Sequence, residues 1–120
     1  MDRLEVYVSV PWDGDMYENA KEAAEYCKQI AEYGHTPICP LLQIGSFAEH
    51  GSKTKRELCD RYIGMSDLIV FCGDSMDNSM LDDLETVDVR YNISLYTFDG
   101  FIQLNELLKQ QEENIKEDYS

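Results

Sequence analysis

The stretch Asp60–Asp83, DRYIGMSDLIVFCGDSMDNSMLDD, decides how the whole chain reads. It opens on a helix-like segment ending at Ser66-Asp67. An unbroken apolar run, Leu68-Ile69-Val70-Phe71-Cys72, follows and passes through Gly73-Asp74 into a polar loop, with a second helix expected from about Ser79. Apolar residues without alternation, bounded by turn chemistry, read as a strand buried on both faces. Such a strand delivers its loop to the carboxyl edge of a sheet, where open α/β sheets hold ligands. This loop is rich in carboxylates, and any chemistry is expected there.

On its N-terminal side, Leu4, Val6, Val8 and Val10 mark a first strand, stopped by Pro11-Trp12-Asp13-Gly14-Asp15. Asp15-Met16-Tyr17-Glu18 has capping-box spacing, and the helix behind it puts Ala20, Ala23, Ala24, Cys27, Ile30 and Ala31 on one face before Gly34 ends it. His35-Thr36-Pro37-Ile38-Cys39-Pro40 reads as a short strand, followed by a long loop through Gly45, Ser46, Phe47 and Gly51. Thr54-Lys55-Arg56-Glu57 is a second capping box, opening a helix with Leu58, Cys59, Tyr62, Ile63 and Met65 as its apolar side.

Beyond the central stretch, Met80, Leu84 and Val87 mark a third helix closed by Asn92, and Ile93 to Phe98 a fourth strand. Asp99-Gly100 reads as a turn, and Phe101, Leu104, Leu107 and Leu108 as the last helix. The expected organisation is one domain over residues 1–109 and a charged, fraying tail over 110–120. The order βαβαβαβα implies a parallel sheet of four or five strands with right-handed crossovers and helices on both faces. The fold class is therefore α/β, a single three-layer Rossmann- or flavodoxin-like domain.

With 24 acidic and 10 basic residues among 120, the formal charge is −14. Such a surface repels phosphate backbones, so nucleic acid is not an expected partner. No run approaches a membrane span and the N-terminus does not begin a signal peptide, which points to a cytoplasmic protein with no membrane partner. Cys27, Cys39, Cys59 and Cys72 lie 12, 20 and 13 residues apart, each in an apolar context. That spacing suggests neither a metal site nor a disulfide framework, but small buried hydrophobes.

The first turn, V-P-W-D-G-D, carries neither a dinucleotide fingerprint nor a P-loop, and no cofactor is expected. The strand ends instead offer Tyr7, Ser9, Trp12, Asp13, Asp15, Asp60, Asp74, Asp77 and Asp83. Several features, in this order and spacing, resemble the nucleoside 2-deoxyribosyltransferase-like superfamily, and especially its small bacterial and phage members. They are Val6-Tyr7-Val8-Ser9 followed by Pro11-Trp12, Asn19 with Ala20 and Ala24, Gly34 before Pro37-Ile38-Cys39-Pro40, Asp60 seven residues before Asp67, and the loop before Asp83.

The resemblance spans about residues 4 to 98 and implies a carboxylate nucleophile that attacks the anomeric carbon of a 2-deoxynucleoside. A second carboxylate handles the leaving base, and a first-strand tyrosine positions the nucleophile. Matched by motif, Asp83 takes the nucleophile's place, Asp77 that of the base-handling acid, Asp60 lies on the preceding helix and Tyr7 on the first strand. Ser9, Pro11, Trp12, Asp13, Asp15, Gly73, Asp74, Ser79 and Met80 are the implied ligand-binding residues. A homo-oligomer is also implied, since members complete their sites from a neighbouring subunit, with the 41–51 loop or the last helix as the expected contact.

Ser79-Met80-Leu81-Asp82-Asp83 stands where the family has G-x-x-E, so a glycine is absent and the nucleophile is shorter by a methylene. Plainer roles exist for each residue: Asp77, Asn78, Ser79, Asp82 and Asp83 suit a helix N-terminus, Asp60 suits a surface pair with Arg56 or Lys55, and Tyr7 suits simple packing. Three functions follow. The first is cleavage or transfer of an N-glycosidic bond. The second is non-catalytic binding of a nucleotide-like metabolite, as a sensor or sponge, favoured by a basic rim of Lys53, Lys55, Arg56 or Arg61. The third is an acidic protein-interaction module.

Overall fold

β1 (Glu5–Ser9) forms where β-branched Val6 and Val8 fill one face and Tyr7 and Ser9 the other, all four of them buried. The structure, a computed structural model, describes residues 3–90 and 92–119; Ser120, at the end of the charged tail, lies outside them. After β1 come α1 (Met16–Glu32), β2 (Thr36–Ile38), α2 (Pro40–Ile44), α3 (Lys53–Gly64), β3 (Leu68–Phe71), α4 (Asn78–Arg90), β4 (Ser94–Thr97) and α5 (Phe98–Tyr119). The four strands form a parallel sheet in the order β2-β1-β3-β4. β1 and β3 occupy the centre, with Tyr7 opposite Ile69 and Ser9 opposite Phe71. This is the α/β sheet flanked by helices that the central stretch implies, with four strands.

Alternation along each strand separates two packing faces. Val6, Val8, Leu68 and Val70 pack with Ala23 and Ile30 of α1 and Phe101 of α5. Tyr7 and Ile69 pack with Ile63 of α3 and Val87 of α4. Chain order turns back between β1 and β3, so the loops after those two strands meet at the sheet's switch point.

Local chemistry sets the helix ends, with some departures from expectation. Asp15 caps α1 by accepting the Glu18 amide at 3.2 Å, as its spacing predicts. The buried stripe of α1 runs through Ala23, Tyr26, Cys27 and Ile30, while Ala24 and Ala31 face solvent. The long loop after β2 contains α2, begun by Pro40 and held down by buried Leu41 and Ile44. The cap of α3 is Ser52, two residues before the expected Thr54, and its hydroxyl accepts the Lys55 amide at 3.1 Å.

Asp99-Gly100 is no turn. α5 begins at Phe98, with the Gly100 amide donating to Thr97 Oγ1 at 3.1 Å, and a Cβ at Gly100 would stand only 3.0 Å from that oxygen. The helix runs on through residues 110–119, the stretch read as a fraying tail. No helix among the described residues is long and apolar enough to cross a membrane.

Candidate functional site at the β1–β3 switch point

Two residues apart on β1, Tyr7 and Ser9 share the face turned toward α3 and α4. Both reach the Asp83 carboxylate from the second turn of α4: the Tyr7 hydroxyl donates to Oδ1 at 3.1 Å and the Ser9 hydroxyl to Oδ2 at 2.7 Å. Arg56, on the first turn of α3, donates from Nη2 to Asp83 Oδ1 at 2.8 Å. The same guanidinium holds Asp60 Oδ1 through Nε at 2.9 Å, and Thr86 Oγ1 donates to that oxygen at 2.9 Å. Asp83 is only 3% exposed, so three elements, β1, α3 and α4, close over one carboxylate.

Burial pushes the Asp83 carboxyl above its ordinary range, against the opposing pull of Arg56 and the hydroxyl donors. Tyr7 is raised well above its ordinary value, first by burial and then by the Asp83 charge, so its hydroxyl keeps the proton it donates. Burial would lower Arg56, but the Asp83 charge and hydrogen bond outweigh it, and the guanidinium stays cationic.

Asp77 stands next to this cluster with a different set of partners. Its Oδ1 accepts the Met80 amide at 2.9 Å, and its Oδ2 accepts the Trp12 and Asp13 amides at 2.7 and 3.1 Å. One carboxylate thus caps α4 and pins the first loop. Burial alone would raise Asp77, but these three amides and nearby His50 bring it below its ordinary value.

Trp12 is 5% exposed, with its ring stacked near His50 at 6.3 Å between centroids and the Lys55 ammonium 4.5 Å from the ring centre. Lys55 Nζ donates to Ser79 Oγ. Asp13 pairs with His50, Met80 is buried, and Pro11 flanks Gly73, whose φ of +107° suits glycine. Asp15 serves as the α1 cap, away from the cluster, and exposed Asp74 lines a separate cleft of about 310 Å³ with Gly73, Tyr26 and Phe98. Among the described residues no group of His, Cys, Asp and Glu is placed to hold a metal ion.

Over residues 4–94 the sequence matches the domain of unknown function DUF7768. The chain belongs to the DUF7768 family. No curated protein matches it by sequence. Among solved structures, this DUF7768 domain is similar to a 2-deoxyribosyltransferase from the psychrotolerant bacterium Bacillus psychrosaccharolyticus. The TM-score is 0.53 at 19% identity, over 78% of this chain and 72% of that one. At that identity the likeness is one of fold.

The DUF7768 fold therefore brings Tyr7, Ser9, Asp60 and Asp83 into one hydrogen-bonded cluster, with Asp77, Trp12, Asp13, Ser79 and Met80 beside it. At its centre is Arg56, which the sequence offered only as a rim cation or a surface partner of Asp60. Its i, i+4 pair with Asp60 exists, but the guanidinium is half-buried and shared with Asp83. Lys55, offered for the rim or as a surface partner of Asp60, is buried in the domain instead. The missed signal was the spacing Lys55, Cys59, Ile63, which sets the lysine on the buried stripe of α3. His35, given no role, is buried too; the Leu4 amide donates to its Nδ1, and Nε2 meets Asn105 Oδ1 at 2.8 Å.

Proposed function

We propose that this domain binds a nucleoside or nucleotide and cleaves or transfers its N-glycosidic bond, with Asp83 as nucleophile and Tyr7 as its positioning partner. The observation that carries the reading is the hydrogen bond from the Tyr7 hydroxyl to the buried Asp83 carboxylate, spanning 76 residues of sequence at the sheet's switch point. The fold it shares with a 2-deoxyribosyltransferase supports the same reading. In the proposed step, an Asp83 oxygen bonds to the anomeric carbon as the carbon–nitrogen bond breaks. The base leaves with the bonding electrons and takes a proton, and the glycosyl ester passes to another base or to water. A homo-oligomer is part of the proposal.

One observation favours a second reading, a binding domain without turnover. Both Asp83 oxygens are engaged, Oδ2 by Ser9 and Oδ1 by Tyr7 and Arg56, and the Arg56 charge weakens a nucleophile. The deciding experiment is a chromatographic base-exchange and hydrolysis assay with each 2-deoxynucleoside and 5′-monophosphate, an acceptor base, and the Asp83→Asn and Asp83→Ala variants. Turnover in the wild type that is lost in both folded variants is the expected outcome. Because burial raises Asp83, the acid limb of the rate profile is expected above the ordinary carboxylate value of 3.8. Absence of turnover, with ligand still bound, would favour the second reading.

A further inference from the structure

The cleft over the first turn of α3 encloses about 640 Å³, and Ser52, Lys53, Lys55 and Arg56 line one wall of it. Acids line the rest, but most are already engaged. Glu57 faces Lys53 at 3.8 Å, and Asp60 takes Arg56 and Thr86. Asp82 is the remaining acid, and it is exposed.

Lys55 differs from its neighbours. It is 2% exposed, and its ammonium meets the Ser79 hydroxyl and the Trp12 ring, with no carboxylate at ion-pair distance among the described residues. A hydroxyl and an indole face leave much of the desolvation cost of a buried ammonium uncompensated. Next to it, Arg56 Nη1 is buried and has no hydrogen-bond acceptor. Buried Lys55 and the buried Nη1 of half-buried Arg56 therefore hold unused donor capacity beside one cleft. The positive end of the twelve-residue α3 adds to their field.

We propose that this cleft takes the phosphate of a nucleoside 5′-monophosphate, with Lys55 and Arg56 Nη1 supplying the charge-assisted donors. The inference rests on the N-glycosidic reading above and narrows it from nucleosides in general to their 5′-phosphates. Arg56 ties the two together, holding Asp83 through Nη2 while Nη1 remains for the ligand. A phosphate monoester suits these donors because its oxygens accept several hydrogen bonds and carry charge, whereas a sugar hydroxyl does neither as well. The formal charge of −14 repels phosphates at long range, so recognition here is a contact effect and does not speed encounter.

Isothermal titration with a 2-deoxynucleoside, its 5′-monophosphate and inorganic phosphate tests this, using the full chain and its Lys55→Met and Lys55→Arg variants. The monophosphate is expected to bind on the order of ten- to a hundredfold more tightly than the nucleoside. That preference falls to a few-fold in Lys55→Met and is partly retained in Lys55→Arg. Inorganic phosphate competes with the monophosphate but binds more weakly.

Equal binding of nucleoside and monophosphate would overturn the phosphate site and leave the N-glycosidic reading standing. Inorganic phosphate binding as tightly as the monophosphate would overturn the nucleotide as its source. Failure of nucleoside and monophosphate alike to bind or turn over would overturn the underlying reading. Should Lys55→Met not fold, salt decides with the wild type: a preference that does not shrink as ionic strength rises overturns the proposal.

Discussion

Asp77, given the place of the base-handling acid by the family resemblance, holds the backbone together in the fold. Three amides occupy its two oxygens. Those amides hold its folded-state value below the ordinary 3.8, so it contributes stability above 3.8 that is lost as pH falls through the lower folded value. Asp77→Asn is therefore expected to melt at a lower temperature than the wild type at neutral pH. The gap should narrow as the solution is acidified below 3.8, a trend read by circular dichroism across a pH series. A gap constant over that range would remove Asp77's charge from the account. His35 is the contrasting case: its Nδ1 accepts from the Leu4 amide and its Nε2 meets Asn105 Oδ1, so both ring nitrogens have partners and the ring ties the residue before β1 to α5.

Strands and helices were legible where periodicity was strong. The apolar run 68–72, the alternation of β1 and the Asp15 cap each express a local rule, and each element formed. α3 shows where local rules misled. Thr54-x-x-Glu57 satisfies the capping-box pattern, whereas Ser52 is followed three residues on by Lys55, which cannot return the reciprocal bond. The true cap places Lys55 at the third helical position with its side chain turned inward. The Arg56–Asp83 contact, 27 residues apart, arises only once α3 and α4 lie side by side, so no spacing in the chain announces it. Replacing Ser52 with Ala is expected to cost about 0.5–2 kcal/mol in chemical denaturation. A change within error would reassign the start of α3.

At the scale of the molecule, the strand order carries the site, because the loops after β1 and β3 converge only where chain direction reverses. That much followed from the order of elements; the charge pairing inside the convergence did not. The surface bears on assembly. Phe47 in the 41–51 segment is 66% exposed, and Leu107 on α5 is 62% exposed. The proposed homo-oligomer should give a light-scattering mass of at least twice the monomer, reduced by Phe47→Glu or Leu107→Glu according to which contact is used. A monomeric mass at high concentration would remove the oligomer from the proposal.

Asp77 also has a mechanical consequence. A carboxylate that accepts from Trp12, Asp13 and Met80 together makes the first loop and the start of α4 a single hinge block. Neither can swing away alone without leaving the Trp12 and Asp13 amides unpaired, so breathing at the mouth of the domain is one concerted opening of both walls.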